Sequence, residues 1–287
     1  MMALAPWQVR NFTFDWSRTY LMGVLNVTPD SFSDGGQFDT LDRAIAQAHR
    51  MVIDGADILD IGGQSTRPNA ETVSLEEELR RVVPVIEALR AGNDNFAPLD
   101  VPISVDTTRV EVAAGAITAG ADMVNDVSGG TYESEMLPTI ARLGVPAFLM
   151  HLRGTPKTMQ KMTDYDDLIG ELLRVLDARK SAAIAAGIEP ELIALDPGIG
   201  FAKTVEQNLE ILRRAQEFQT LDCPILIGPS RKSFIGKVLN QPEPMDRVWG
   251  TGAACAAAIT GGAQVLRIHD VAEMAQVSRL SDAIWRG

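Results

Sequence analysis

Carboxylates, amides and basic side chains recur in this sequence at the ends of short apolar runs. Asn26 follows YLMGVL, Asp106 follows ISV, Asn125 follows MV and Asp196 follows LIAL, while Arg267 and His269 close the run that begins at Ala263. Acidic and amide groups buried together suit a flat heterocycle with donor edges, because a carboxylate accepts two hydrogen bonds from a guanidine-like ring edge. A second set, Asn26, Thr66, Arg67, Arg267 and His269, suits a diphosphate. Arginine presents a planar fork that matches phosphate oxygens, and Mg²⁺ binds through few protein ligands plus substrate phosphate, a role a single Asn such as Asn26 could fill. No Cys/His cluster stands at zinc spacing, so a zinc site is not expected. Each residue alone has a plainer reading. Asp or Asn after a strand is an ordinary helix N-cap, glycine-rich loops are ordinary turns, and His49 lies within a helical pattern away from these ends.

To act together these residues must share one rim. Eight apolar runs read as strands: Tyr20–Val27, Asp57–Ile61, Pro102–Val105, Ala121–Val127, Val145–Met150, Leu192–Leu195, Pro224–Ile227 and Ala263–Ile268. They are continuous rather than alternating, as strands of a parallel sheet buried on both faces should be. Helical patterns separate them: Thr40–Asp54, Ser74–Arg90 (opened by the capping pair Ser74 and Glu77), Thr108–Ala119, Ser134–Leu143, Asp166–Ala186, Val205–Phe218, Arg247–Thr260 and Val271–Trp285. Eight βα units with right-handed crossovers predict a single-domain α/β (β/α)₈ TIM barrel over residues 1–287; a doubly wound open sheet is the alternative. Residues 1–18 form an N-terminal extension that could fold as a small hairpin. In such a barrel, chemistry sits where strands end, and every polar group above lies at that end. The loops 26–38 and 62–73 are long and carry Gly, Ser and Thr, as lids do.

A chain of 287 residues with a formal net charge of −12 argues against nucleic acid as the main partner, since that needs a basic face. It leaves room for a small anionic ligand in a locally basic cleft. No secretory leader or membrane-length apolar stretch is visible, and the two cysteines, Cys223 and Cys255, do not suggest a disulfide framework. A cytoplasmic protein is the expectation.

At these residues the sequence resembles the dihydropteroate synthase family, from about Tyr20 to Val271. The resemblance rests on MGVLNVTPDSFSDGG (22–36), DIGGQSTRP (60–68), SVDT (104–107), VNDVSGG (124–130), MHLRGTPKTMQ (150–160), DPGIGFAKT (196–204), SRKSFIG (230–236) and RIHDV (267–271). It implies an alkyl transfer in folate biosynthesis, from (7,8-dihydropterin-6-yl)methyl diphosphate to p-aminobenzoate, with pyrophosphate leaving before the amine attacks. It implies that Asp106, Asn125, Met150, Asp196, Lys232 and Arg267 hold the pterin, and that Asn26 binds Mg²⁺. Asn26, Thr66, Arg67, Arg267 and His269 would hold the diphosphate. Thr66, Pro68, Phe201, Lys232 and Ser233 would line the p-aminobenzoate pocket, with Arg231 helping at the carboxylate. Asp106, Lys232, Arg267 and His269 would carry the catalysis. The family is sulfonamide-sensitive and generally dimeric; the Ala-rich stretch Thr251–Thr260 is a possible interface, although core packing explains it as well. Two positions depart from the pattern: Gln64 stands where Glu is commoner, and Ala202 where Gly is usual. A pterin-binding methyltransferase and a non-catalytic homologue are the competing readings.

Overall fold

The computed structural model describes residues 4–27, 37–65 and 72–287. Thr66, Arg67 and Pro68, and most of both long loops, lie outside them. Ten strands are described: β1 (Trp7–Val9), β2 (Phe12–Phe14), β3 (Tyr20–Asn26), β4 (Ile58–Gly62), β5 (Ile103–Asp106), β6 (Met123–Asp126), β7 (Ala147–Met150), β8 (Ile193–Asp196), β9 (Leu226–Ile227) and β10 (Val265–Ile268). The last eight pair in parallel in the order β8-β7-β6-β5-β4-β3-β10-β9. A parallel bridge between Leu195 and Ile225, with Leu195 N donating to Pro224 O at 3.0 Å, joins the two ends of that order. The sheet is therefore a closed barrel, and the open-sheet alternative falls.

Helices follow the strands: α1 (Gln37–Asp54), α2 (Leu75–Ala91), α3 (Val110–Thr118), α4 (Met136–Leu143), α5 (Leu168–Ala185), α6 (Val205–Arg213), α7 (Ser233–Leu239), α8 (Val248–Thr260) and α9 (Val271–Trp285). Two differ from the sequence reading. The expected helix Val205–Phe218 stops at Arg213 and continues as a 3₁₀ turn, Ala215–Leu221. Ala215, Phe218 and Leu221, three apart, are all buried there, and a three-residue period matches a 3₁₀ rather than an α-helical face. The second is α7, whose seven residues are too few to show a helical period; left-handed Asn240 ends it.

Two layers of side chains fill the barrel, and the two-residue period of a strand separates them. The lower layer is Met22, Ile58, Met123, Phe148, Ala194, Leu226 and Val265. The β1–β2 hairpin packs Trp7, Val9 and Phe14 into this layer and so plugs the N-terminal end. Trp7 meets Trp16 at 5.1 Å and Phe148 at 5.4 Å between ring centroids, edge on. Two residues further along the same strands, facing the same way, stand Asp60, Asn125, Met150, Asp196 and Arg267. Asp106, two beyond Ser104 on β5, joins this upper layer, and Asn26, four beyond Met22 on β3, stands one step further out at the rim.

Candidate active site

The upper layer is a buried polar network. Arg267 reaches across the mouth from β10. Its Nε donates to Asp60 Oδ2 and its Nη2 to Asp106 Oδ2, both at 2.6 Å. Asn125 Nδ2 donates to the same Asp60 oxygen at 3.0 Å. Asp60, Asp106, Asn125 and Asp196 are all buried. Burial drives the Asp106 carboxyl above its ordinary range even though the Arg267 guanidinium opposes the shift. Conversely, Asp60 and Asp106 keep Arg267 firmly protonated against its own desolvation. Burial also raises Asp196, with Lys232 and the Gly198 N–H, which donates to Asp196 Oδ1 at 2.7 Å, pulling the other way.

Lys232 comes from the turn after β9. Its ammonium donates to the Ile199 carbonyl and lies 4.6 Å from the centre of the Phe201 ring. Burial is the main cause that lowers its pKa to about 8; Asp196 counters and Arg267 adds to the fall. Gly200 makes this approach possible: its φ is +86°, and a Cβ there would stand 2.6 Å from Lys232 Cδ.

The loop from Asp196 to α6 is knotted from below by Lys203. Its buried Nζ donates to Gly198 O at 3.0 Å and Phe201 O at 2.9 Å, and lies 3.2 Å from His151 Nδ1. Burial lowers Lys203 to about 7, and burial together with Lys203 lowers His151 to about 2. His151 is therefore a neutral ring that braces the loop. Thr204 then starts α6 with a reciprocal capping box to Gln207.

The other expected residues divide. Asn26 ends β3, and Met150 ends β7 inside the mouth. His269 Nδ1 lies 3.0 Å from Ser230 Oγ. Phe201 shares a cavity on the same rim with Gln64, Arg109, Tyr132 and Lys157. Ser233 opens α7 and is exposed. Arg231 turns elsewhere. It forms a bidentate pair with Asp270, the Nε bond measuring 3.0 Å, and its left-handed backbone (φ 58°) is held by Thr251 and Arg247. With its Nε and Nη2 taken by Asp270, it fixes the turn that presents Lys232.

Both departures now have surroundings. Gln64 Oε1 accepts from Val73 N at 3.2 Å and closes the base of the second long loop. Arg109 supports that base by donating to Val73 O at 2.6 Å while paired with buried Glu78 at 3.1 Å. Ala202 is buried with φ 51°, and its carbonyl accepts from the Tyr165 hydroxyl at 3.1 Å.

Asp60 and Lys203 lie inside the sequence motifs but carry no role there. For Asp60 the overlooked signal was parity: it faces the same way as Gly62 at the strand end, not away from it. Lys203 carried no local signal, because one of its partners is 52 residues distant.

The family described as pterin binding enzyme matches residues 22–269. The dihydropteroate synthase of Synechocystis sp. is 58% identical over 282 residues, which are 98% of this chain and 96% of that protein. The crystal structure of the Yersinia pestis dihydropteroate synthase with a sulfonamide drug superposes with a TM-score of 0.90 at 42% identity, covering 98% of this chain and 99% of that one. The Xanthomonas albilineans enzyme in complex with 7,8-dihydropteroate gives 0.86 at 39% identity, with 98% of each chain covered.

Proposed function

Because this chain belongs to the pterin binding enzymes, and among them to the dihydropteroate synthases, we propose that its upper barrel layer binds (7,8-dihydropterin-6-yl)methyl diphosphate and joins it to p-aminobenzoate. The observation that carries the assignment of residues is the polarity of that layer. Asp106, Asn125 and Asp196 offer acceptors to the ring's guanidine-like edge, while Lys232 offers a donor to its carbonyl. A donor-rich ring relieves the desolvation that holds Asp106 and Asp196 high. Met150 packs on the ring and Arg267 lies between ring and diphosphate.

The reaction breaks the bond between the methylene carbon and the diphosphate oxygen, and the electron pair leaves with pyrophosphate. Arg267 and His269 take up that developing charge near Asn26; the family resemblance assigns Thr66 and Arg67, which lie outside the described residues, to the same anion. The carbocation delocalises into the pterin, where Asp106 and Asp196 face it. The p-aminobenzoate nitrogen attacks the carbon and its proton passes to solvent. Phe201, Lys232 and Ser233 line the space from which it attacks, and the family resemblance adds Thr66 and Pro68, which lie outside the described residues. Preorganised charge of this kind contributes about 2.7–4 kcal/mol per well-placed donor.

Mg²⁺ fits as an ion carried by the diphosphate. Asn26 offers one neutral oxygen, and no cluster of three His, Cys, Asp or Glu able to hold a metal exists among the described residues. When bound, the ion would neutralise charge on the leaving pyrophosphate. We further propose a homodimer. Most of the Thr251–Thr260 stretch faces the core, but Val238, Leu239, Met245 and Trp249 beside it are exposed, Trp249 to 87%. A reducing cytoplasm suits the two buried free thiols. No described helix is long and apolar enough to cross a membrane.

Pyrophosphate release tests the reading. Wild type with Mg²⁺ should sustain pyrophosphate release over many turnovers only when both substrates are present. Lys232→Ala, which removes a charged donor worth about 1.5–3 kcal/mol, should lower kcat/KM roughly 10- to 150-fold. A folded wild type that releases none would overturn it.

A further inference from the structure

Asp60 is the most enclosed carboxylate of the mouth, with no exposed surface, and it lies behind the residues assigned to the ring. One of its oxygens, Oδ2, accepts from both Arg267 Nε and Asn125 Nδ2, at 2.6 and 3.0 Å. The consequence concerns Asn125. A carboxamide has a donor end and an acceptor end, and a buried carboxylate can face only the donor end. Asp60 therefore turns the Asn125 amide so that its carbonyl oxygen looks into the mouth. Without that constraint the two ends are nearly equal in shape, and the side chain could present either one to a ligand.

We propose that Asp60 is a positioning residue for ring recognition. By fixing the polarity of Asn125, it makes the mouth select a ring whose edge donates hydrogen bonds over one of the same shape whose edge accepts them. This rests on the pterin-site reading above and deepens it. The 2-amino group of a pterin is a donor, and the 2-oxo group of the matching lumazine is an acceptor. Asp106 and Asp196 also demand donors, but each is a carboxylate that burial already drives toward its protonated form. A protonated carboxyl can donate and so tolerates an acceptor edge. The held amide cannot change its polarity in this way.

The test is the ratio of affinities for the 6-hydroxymethyl-7,8-dihydropterin diphosphate and the corresponding 2-oxo dihydrolumazine diphosphate, by calorimetry, in wild type, Asp60→Asn and Asp60→Leu. Asn keeps a carbonyl where Oδ2 stands. Its amide nitrogen falls where Oδ1 has no hydrogen-bond partner among the described residues. The preference for the amino ring should stay within about threefold of wild type. Leu has the same shape and no acceptor, and the preference should fall about tenfold or more. Disturbing Arg267 weakens both ligands through their common diphosphate, and loss of Asp60 lets Asp106 ionise more readily, which favours the amino ring; a fall in the ratio therefore comes from Asn125. An unchanged ratio in Asp60→Leu, with tight wild-type binding, overturns this inference and leaves the functional reading intact. Wild type that binds neither diphosphate overturns the functional reading itself. If the Leu variant does not fold, neutron diffraction from deuterium-exchanged wild type decides: two deuterons on the Asn125 atom facing Asp60 support the proposal, and a bare oxygen there refutes it.

Discussion

Lys232 links the electrostatics of the mouth to a measurable pH profile. Burial, reinforced by Arg267 and opposed by Asp196, lowers its pKa from 10.5 to about 8. The sign follows from the direction. The free protein carries the ammonium below pH 8 and loses it as pH rises, so the form that donates to the ring carbonyl is the one lost. An anionic ligand beside Lys232 raises its pKa again in the complex. The fall should therefore appear in kcat/KM for the pterin diphosphate, which reports the free enzyme, before it appears in kcat. Above pH 8 the decline approaches tenfold per unit, so about 30-fold by pH 9.5. A charged hydrogen bond worth about 1.5–3 kcal/mol caps it at roughly 10- to 150-fold. The assay is pyrophosphate release at limiting pterin diphosphate from pH 6.5 to 9.5, on wild type and Lys232→Met. Met should start near the floor and stay flat across pH 8. Lys203, at about 7, also titrates, but its ammonium faces loop carbonyls and His151. Any inflection it causes should lie lower and survive in the Met variant. A flat wild-type profile, or a fall near pH 8 that persists in Lys232→Met, would refute the reasoning.

Three further outcomes are expected. Ala202→Gly releases a left-handed alanine but also removes a buried methyl. The two effects nearly cancel, leaving stability within about 1 kcal/mol. The ratio of sulfonamide to p-aminobenzoate affinity should shift, because Phe201 is the preceding residue; equal ratios in the two forms would count against this. Trp7→Ala, at the plugged end, should cost about 3–5 kcal/mol and lower Tm by roughly 6–20 °C. Its kcat/KM well below the transition should stay within about twofold, since truncation there touches only the lower layer; a large kinetic loss would contradict the two-layer account. Trp249→Glu should convert a dimer to a monomer in sedimentation at micromolar concentration, and a wild type already monomeric would refute the proposed interface.

The barrel was legible because its strands are buried on both faces and so leave continuous apolar runs, from Tyr20–Asn26 through Val265–Ile268. The exceptions have local causes. The β9 ladder holds only Leu226 and Ile227 before Gly228 and Pro229 interrupt it. The helix α7 hides because a turn or two leaves no period to read. Site residues at strand termini were legible for the same reason as the strands. Asp60 stood at the end of the second strand run without a role, because the partners that define one, Asn125 and Arg267, are 65 and 207 residues away. The pairing of Arg231 with Asp270, 39 residues on, was not legible, because no pattern in sequence predicts it.

The strand period that exposed these residues also explains why the site is stable enough to exist. Every second residue faces the barrel axis, so a lower layer of Met22, Ile58, Met123, Phe148, Ala194, Leu226 and Val265 closes the floor beneath its upper neighbours and buries their carboxylates. Charges placed there lose their hydration and need partners. Arg267 meets that need for Asp60 and Asp106 together, and Lys232 partly for Asp196. Among the groups of this layer and Lys232, three carboxyl groups face two cations, and burial drives Asp106 and Asp196 toward their protonated forms. A neutral pterin supplies hydrogen bonds to them without a charge that would hold them ionised. The cation formed when pyrophosphate departs supplies hydrogen bonds and positive charge together, which favours the ionised forms. On this account the layer binds the transition state better than the substrate, and the imbalance that makes Asp106 and Asp196 costly to bury is what assists the reaction.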